Sequence, residues 1–472
     1  MSLSHSRPPW LLQFRSSTAF IIATVWISSF TDYFLYAMIV PVLPTALVDR
    51  AGVPYNDREY WVSVLLMCEA AVALVCCPLF GYIIDISPTR RLAYLLGLVL
   101  LGASMGLLAI ARSVALFVAA RLLQGGATAV VIVAGLALLT DSVAFDNLGQ
   151  TIGYLGSAVA LGFMLGPLLG GLVYNAAGYH AVFAMAFALV GVDLVMRVAV
   201  IEKKVARQWI AAPDDEPAHA PHADANTTTT TTTVPTKPPQ PALLLIARQP
   251  RVLISSWALL VHGILYSSFD ATIPIFVESR FGWGPLGAGM TFLPSALTAF
   301  LGPVFGHISD CCGARLVTFT GFLLLAPPLV CLRFVESAVA PTTAGVVLLL
   351  ALLTIIGLLI NLCTPALYVE TQQELERMER ARPGLFGPRG AVAQAFGIQT
   401  MAQFTGMLVG PLWGGFVADR FGWAAMAASL GVLAGGTAMP MLWLSGRPQE
   451  HEGDEAERER LLPGSSRVNP TT

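Results

Sequence analysis

The sequence predicts an all-α polytopic membrane protein, with twelve transmembrane helices in two six-helix bundles related as parallel pseudo-repeats. Three observations predict it. First, the 472 residues are 55% hydrophobic and only 12% charged, with a mean hydropathy of +0.69, a composition no soluble domain of this length shows. Second, apolar runs of about 20 residues, long enough to cross the hydrocarbon core of a bilayer, recur along the chain. Third, the pattern GxxxGPxxGG occurs twice, at Gly162, Gly166, Pro167, Gly170 and Gly171, and again at Gly406, Gly410, Pro411, Gly414 and Gly415.

The apolar runs come in two sets of six. The first set is Thr18 to Leu47, Tyr60 to Ile84, Leu92 to Ala111, Val114 to Leu139, Thr151 to Tyr174 and Tyr179 to Ile201. The opening run is too long for a signal-peptide core, so it reads as a retained helix. The second set is Val252 to Val277, Leu286 to Ile308, Leu316 to Val335, Thr342 to Val369, Ala391 to Ala418 and Trp423 to Leu444. This divides the chain into an N-terminal segment (1–17), a first bundle (18–201), a linker (202–250), a second bundle (251–444) and a tail (445–472).

The linker carries Asp214, Asp215 and Glu216, seven threonines from Thr227 to Thr233, and Pro235, Pro238, Pro239 and Pro241. Such a composition buries too little apolar surface to fold alone and reads as disordered. Placing both termini in the cytosol puts 20 of the 27 Lys and Arg residues on that side, six opposite, and Arg121 within the membrane. The excess of basic residues therefore sets the termini and linker as cytosolic. The Asn226 sequon is then expected to be silent.

The two GxxxGPxxGG copies explain themselves as packing. Glycines four apart share one helix face and let a neighbouring helix approach closely. Pro167 and Pro411 add a bend that embedded helices tolerate. A second echo runs in the same order: Gly81, Asp85 and Arg90 correspond to Gly306, Asp310 and Arg315. Parallel repeats are the arrangement in which a substrate site lies between two bundles.

Charges inside the membrane point to function, because each costs on the order of 2.5–3.5 kcal/mol at mid-helix. Four stand out: Asp32 in helix 1, Glu69 in helix 2, Arg121 in helix 4 and Asp270 in helix 7. Burial disfavours the charged form of a carboxylate, so Asp32 and Asp270 are expected to take and release protons or to meet a cationic group of the substrate. The alternative is a structural network in which Arg121 neutralises one of the acids and the remainder hydrogen-bond to hydroxyls, a reading that fits Glu69 better than Asp32 or Asp270. Trp26, Phe30, Tyr33, Phe34, Tyr36 and Tyr266 either form an amphipathic pocket or pack against lipid. His262 is either a proton relay or a hydrogen-bonded spectator, and Gln399 and Gln403 either line the path or bond between helices.

Arg121-Leu122-Leu123-Gln124-Gly125, with the two duplicated motifs, resembles the major facilitator superfamily, in particular its twelve-helix drug:proton antiporters. The resemblance covers essentially the whole membrane region. It implies that Arg121 assists proton coupling, that Gly81, Asp85 and Arg90 gate the cytosolic side, and that GxxxGPxxGG is an antiporter signature. Ile86 stands where that family has a basic residue and Pro88 where it has glycine, which implies a weakened charge relay at the gate. Asp32 to Pro44 resembles helix 1 of vesicular amine transporters and their fungal relatives, whose aspartate is implicated in recognising an amine. Asp270 lies about where they carry an acid in helix 7. Glu69 stands near their helix-2 lysine, and Asn361 and Thr400 stand near their acidic residues, so another small organic molecule is the expected cargo.

The expected activity is proton-coupled antiport by alternating access, exporting a secondary metabolite, toxin or drug. The alternative is vacuolar or vesicular loading of an amine or other cationic metabolite. No Ser/His/Asp set, metal motif or nucleotide loop suggests an enzyme, and no folded cytosolic domain suggests a non-transporting sensor. The seven cysteines, Cys311 and Cys312 in a short loop among them, show neither a disulfide framework nor metal-ligand spacing. A net charge of −2 offers nucleic acid no binding face. The expected partners are a small-molecule substrate, protons and the bilayer, with no cofactor beyond the proton gradient and a monomeric state. In the tail, Glu457, Leu461 and Leu462 match the acidic dileucine pattern read by sorting adaptors. If that signal operates, the membrane is vacuolar or vesicular; otherwise the plasma membrane is expected.

Overall fold

In the computed structural model, residues 10–87, 90–201, 206, 209, 242–283, 287, 290–337, 343–387 and 390–446 are described. The sorting motif, the Asn226 sequon, Pro88 and most of the linker lie outside them. The described residues form helices and connecting turns, with no strand.

The N-terminal bundle comprises α1 (Thr18–Ile39), α2 (Arg58–Ile86), α3 (Arg90–Ile110), α4 (Val114–Ser142), α5 (Leu148–Ala177) and α6 (Tyr179–Ala199). The C-terminal bundle comprises α7 (Pro250–Phe281), α8 (Gly302–Cys312), α9 (Ala314–Cys331), α10 (Thr343–Ala381), α11 (Val392–Phe421) and α12 (Trp423–Met441). Among the described residues, ten helices are long and apolar enough to cross a membrane by length and composition. The segment ending in α8 and the helix α11 complete the twelve.

Local chemistry sets several ends. Ser17 and Ser113 cap α1 and α4, their hydroxyls accepting from the amides of Phe20 at 3.2 Å and Leu116 at 3.4 Å. The turns joining α5 to α6 and α11 to α12 pass through Gly178 and Gly422 at φ +81° and +83°, a region that favours glycine.

The structure refines five sequence expectations. The first apolar run is not one helix: α1 stops at Ile39, and a second helix, Leu43–Ala51, continues it. Pro41 lacks the amide that would bond back to Ala37 and its ring crowds that carbonyl. The eighth run is likewise broken into Leu293–Thr298, a tight turn at Ala299–Leu301, and α8, which opens with Pro303 near its start. Cys311 and Cys312 form the last turn of α8 rather than a loop. The tenth helix runs past Val369 to Ala381 because hydropathy measures lipid exposure, whereas Glu376 and Arg380 there form an i,i+4 pair at 3.2 Å that supports helix in water. Within the expected linker, Ala242–Ala247 is helical, and its Ile246 packs against Leu375, Ala395 and Ile398. An apolar run beside a folded bundle has a surface to bury.

The duplicated glycines do the packing expected of them, each within its own bundle. A methyl on Gly166 would sit 2.8 Å from Ala37 Cβ and 2.9 Å from Met38 N, so α5 lies directly on α1. Gly410 stands likewise against α7, at 2.7 Å from the Ile264 carbonyl and 3.0 Å from Ser268 N. Gly162, Gly170, Gly406 and Gly414 share these close contacts, whereas Gly171 and Gly415 face open space.

Candidate functional site

Where the two bundles meet, a central cavity of about 150 Å³ is enclosed by α1, α4 and α5 on one side and α7, α8, α10 and α11 on the other. Its walls differ. The N-terminal bundle contributes Ile132, Leu136, Ile152, Val159 and Phe163, with Ser29 and Tyr33 from α1. The C-terminal bundle contributes His262, Asn361, Thr364, Tyr368, Thr400 and Gln403. Tyr33, Phe163 and Tyr266 form an aromatic band, with ring centroids 5.1 Å apart for the first pair and 6.4 Å for the second. On the polar wall the Tyr368 hydroxyl donates to Gln403 Oε1 at 2.9 Å, and Asn361 Nδ2 donates to Thr298 Oγ1 at 3.1 Å. His262 Nε2 lies 3.1 Å from Thr364 Oγ1, and its Nδ1 has no partner.

At the end of the molecule where α1 begins and α12 finishes, the cavity is closed by two matching clasps. Asp85, at the end of α2, accepts from the amides of Ala393 at 3.1 Å and Gln394 at 2.9 Å. Asp310, at the end of α8, accepts from the amides of Gly149 and Gln150, both at 2.9 Å. Both sets of amides are the second and third of their helices, α11 and α5, and neither helix has a side-chain cap of its own. Each carboxylate thus satisfies orphan donors and the positive helix end of the opposite bundle. Small residues make this possible: a methyl on Gly81 would meet the Ala393 carbonyl at 2.7 Å, and one on Gly306 would overlap the Gly149 carbonyl. Gly153 and Gly302, which also touch backbone to backbone, line the cavity directly above the second clasp.

The clasps are reinforced unequally. Arg90 Nη1 pairs with Asp85 at 2.8 Å while its Nε reaches Asp141 at 3.2 Å, and Gln394 Nε2 also donates to Asp85 at 3.2 Å. The charge relay is therefore present despite Ile86, because Arg90 arrives one turn later from α3. Arg315 is not its counterpart. Its Nε donates to the Leu444 carbonyl at 2.7 Å, and its amide to the Ser445 carbonyl, tying α9 to the chain after α12.

The four intramembrane charges lie beside the cavity and do not line it. Arg121 is fully buried, its Nη1 donating to Glu69 Oε2 at 2.8 Å and Gln124 Oε1 at 3.0 Å, with the guanidinium 5.7 Å from the Tyr36 ring centre. Its Nε and Nη2 are unpartnered. Gly125 lets α4 approach α2 at the Glu69 carbonyl, which brings these two side chains together. Asp32 is buried and accepts from Thr128 Oγ1 at 3.1 Å. Asp270 opens into a separate recess with Thr291, Ser295 and Ile356, and Tyr266 forms part of both walls. No hydrogen bond or ion pair to Asp270 occurs among the described residues.

Other expectations divide. Asn361 and Thr400 line the cavity, as does Gln403, whereas Gln399 bonds Ser255 at 2.8 Å and Thr371 at 2.6 Å between helices. Trp26 stacks on Phe30 at 5.8 Å, and neither they nor Phe34 reach the cavity. Sequence reasoning missed a second buried pair in α6. Arg197 and Asp193 meet at 3.0 Å, and Asp193 also accepts from Ser28 of α1 at 2.6 Å. The signal was an i,i+4 pair of opposite charges within an apolar run, yet Arg197 reads as a cytosolic charge because it lies near the run's end.

A profile of the Major Facilitator Superfamily matches residues 25–382 and 290–470. The chain belongs to the Major Facilitator Superfamily. It is 32% identical over 462 residues to the MFS-type transporter ppzB of Metarhizium rileyi, covering 91% of this chain and 95% of that one. It is 22% identical to the human synaptic vesicular amine transporter, covering 80% of this chain and 65% of the relative. Its fold is similar to that of the human organic anion transporter MFSD10 (TETRAN), with a TM-score of 0.66, 17% identity, and coverage of 92% and 100%. The superfamily places the cavity and clasps of this chain within a transporter architecture.

Proposed function

We propose that this protein is a proton-coupled antiporter that exports a small organic molecule from the cytosol by alternating access. The observation that carries the reading is the central cavity closed at one end by two carboxylate clasps, each reaching from one bundle to the other. Releasing the Asp85 and Asp310 clasps frees both bundles to part at the end that the distribution of basic residues assigns to the cytosol. Asp32 and Asp270 are the proton carriers. Both sit in membrane-spanning helices without an ion pair among the described residues, and intramembrane carboxyls are characteristic of proton pathways. Glu69 instead holds Arg121, whose remaining donors keep that site polar. The plasma membrane is the proposed location, with the vacuolar membrane as the setting if Leu461 and Leu462 operate in sorting. The protein works as a monomer, without a cofactor.

The test is untargeted mass spectrometry of medium and cell extract from a deletion strain, restored with wild type or with Asp32→Asn. A metabolite that leaves the medium, accumulates in cells, and returns to the medium only with the wild type supports proton-coupled export. Full restoration by Asp32→Asn would remove Asp32 from the coupling. Unchanged pools throughout would overturn the export reading.

A further inference from the structure

We propose that the central cavity takes an uncharged, single-ring aromatic or heteroaromatic molecule that carries a neutral polar group. This rests on the export reading and names the class of its cargo. Among the described residues no Asp, Glu, Lys or Arg lines the cavity. Asp32 turns to Thr128, Glu69 is held by Arg121, and Asp270 occupies the recess beyond Tyr266. A cationic or anionic ligand would therefore lose its hydration with no counter-charge in contact, a penalty that a neutral ligand escapes.

The walls specify the rest. Tyr33, Phe163 and Tyr266 present an aromatic band on which a flat ring stacks. From the C-terminal bundle, Gln403 commits its Oε1 to Tyr368 and Asn361 its Nδ2 to Thr298, which leaves the Gln403 amide donors and the Asn361 carbonyl available. His262 adds a nitrogen without a partner, a deficit that a ligand group can fill. A cavity of about 150 Å³ is roughly the size that accepts one benzene ring. Selectivity thus differs from what either the vesicular amine transporter or the organic anion transporter is named for, although the fold is shared.

The test uses the purified full chain in nanodiscs and three photoreactive probes of one shape: 4-azidobenzamide, 4-azidobenzylammonium and 4-azidobenzoate. Labelled residues are mapped by peptide mass spectrometry. The neutral probe is expected to label the cavity wall, to be displaced by excess benzamide and not by benzylammonium, and to lose about tenfold in labelling in His262→Leu and Gln403→Leu. The wild-type competition needs no variant, so a misfolded variant leaves the result readable. Preferential cavity labelling by either charged probe, or neutral labelling confined to lipid-facing residues, overturns the proposal. The two failures separate: a charged probe in the cavity overturns the cargo class alone, whereas unchanged metabolite pools on deletion overturn export and leave the labelled site.

Discussion

The two clasps repeat one device and differ in what stands behind it. Asp85 and Asp310 each cap the second and third amides of a helix in the other bundle. Behind Asp85, Arg90 and Asp141 extend the contact into a charged network. Behind Asp310 no such network stands among the described residues, where the charges of the C-terminal bundle serve its own end: Glu370 accepts from Ser445, Arg251 reaches Ser445 Oγ at 2.8 Å, and Arg315 holds Leu444. The α5–α8 contact makes up for this in backbone proximity, since methyls on Gly306 and Gly153 would overlap facing carbonyls outright. A duplicated motif thus conserves the backbone cap, while one clasp is closed by charge and the other by fit.

Removing the charge from each carboxylate gives the largest separation between the clasps. Asp85→Asn leaves Arg90 short of a buried partner, a loss of about 3 kcal/mol or more. Asp310→Asn forfeits the attraction of an anion to a helix end, about 1 kcal/mol, and one of the two amide bonds, since Asn has a single acceptor oxygen; Asp85→Asn loses both of these as well as the Arg90 pairing. Cys77 is fully buried and its carbonyl abuts Gly397 across the α2–α11 contact, so it reports on the Asp85 clasp directly and on the Asp310 clasp through the parting of the bundles as a whole. Its alkylation by N-ethylmaleimide is expected to accelerate on the order of 100-fold or more in Asp85→Asn and at least about tenfold less than that in Asp310→Asn. Equal acceleration would show that the Arg90 network adds nothing to closure.

Steric substitutions are expected to reverse the ranking. Gly306→Ala forces a methyl against the backbone of Gly149 and Gln150, costing about 2 kcal/mol, within the usual range for overpacking. At Gly81 the nearest atom stands at 2.7 Å, and a small helix shift relieves much of the strain, so Gly81→Ala should cost about 1 kcal/mol. The same Cys77 assay then gives the faster alkylation for Gly306→Ala. A faster reaction for Gly81→Ala would remove the argument that fit closes the α5–α8 side.

The sequence carried the spans, the bundle symmetry and the burial of Asp32, Glu69 and Arg121, because apolar length and the cost of burying a charge are local properties. It carried the glycine stripes for the same reason: four-residue spacing fixes a face. What it could not carry was which neighbour a side chain meets. Arg315 follows Asp310 at the spacing by which Arg90 follows Asp85, yet its partner is set by where the chain leaves α12. Phe163 and Tyr368 were passed over as cavity residues because an apolar or aromatic position on an embedded helix reads alike toward lipid, a neighbour or a cavity. Asp193 and Arg197 were missed because a basic residue near the end of a run is the ordinary sign of a membrane boundary.

The smallest expected effect tests the assignment of Arg315 most directly. Arg90→Ala should loosen the α2–α11 clasp and expose Cys77, since Asp85 keeps only its hydrogen bonds to Ala393 and Gln394. Arg315→Ala removes one hydrogen bond to Leu444, worth about 1 kcal/mol, and leaves Asp310 with both of its amides. Cys77 alkylation should then match the wild type, while amide exchange quickens at residues 442–446, where the chain leaves α12. If Arg315→Ala instead opened Cys77 as Arg90→Ala does, the two arginines would be functional equivalents, and the C-terminal network would be part of closure rather than an anchor for the chain's end.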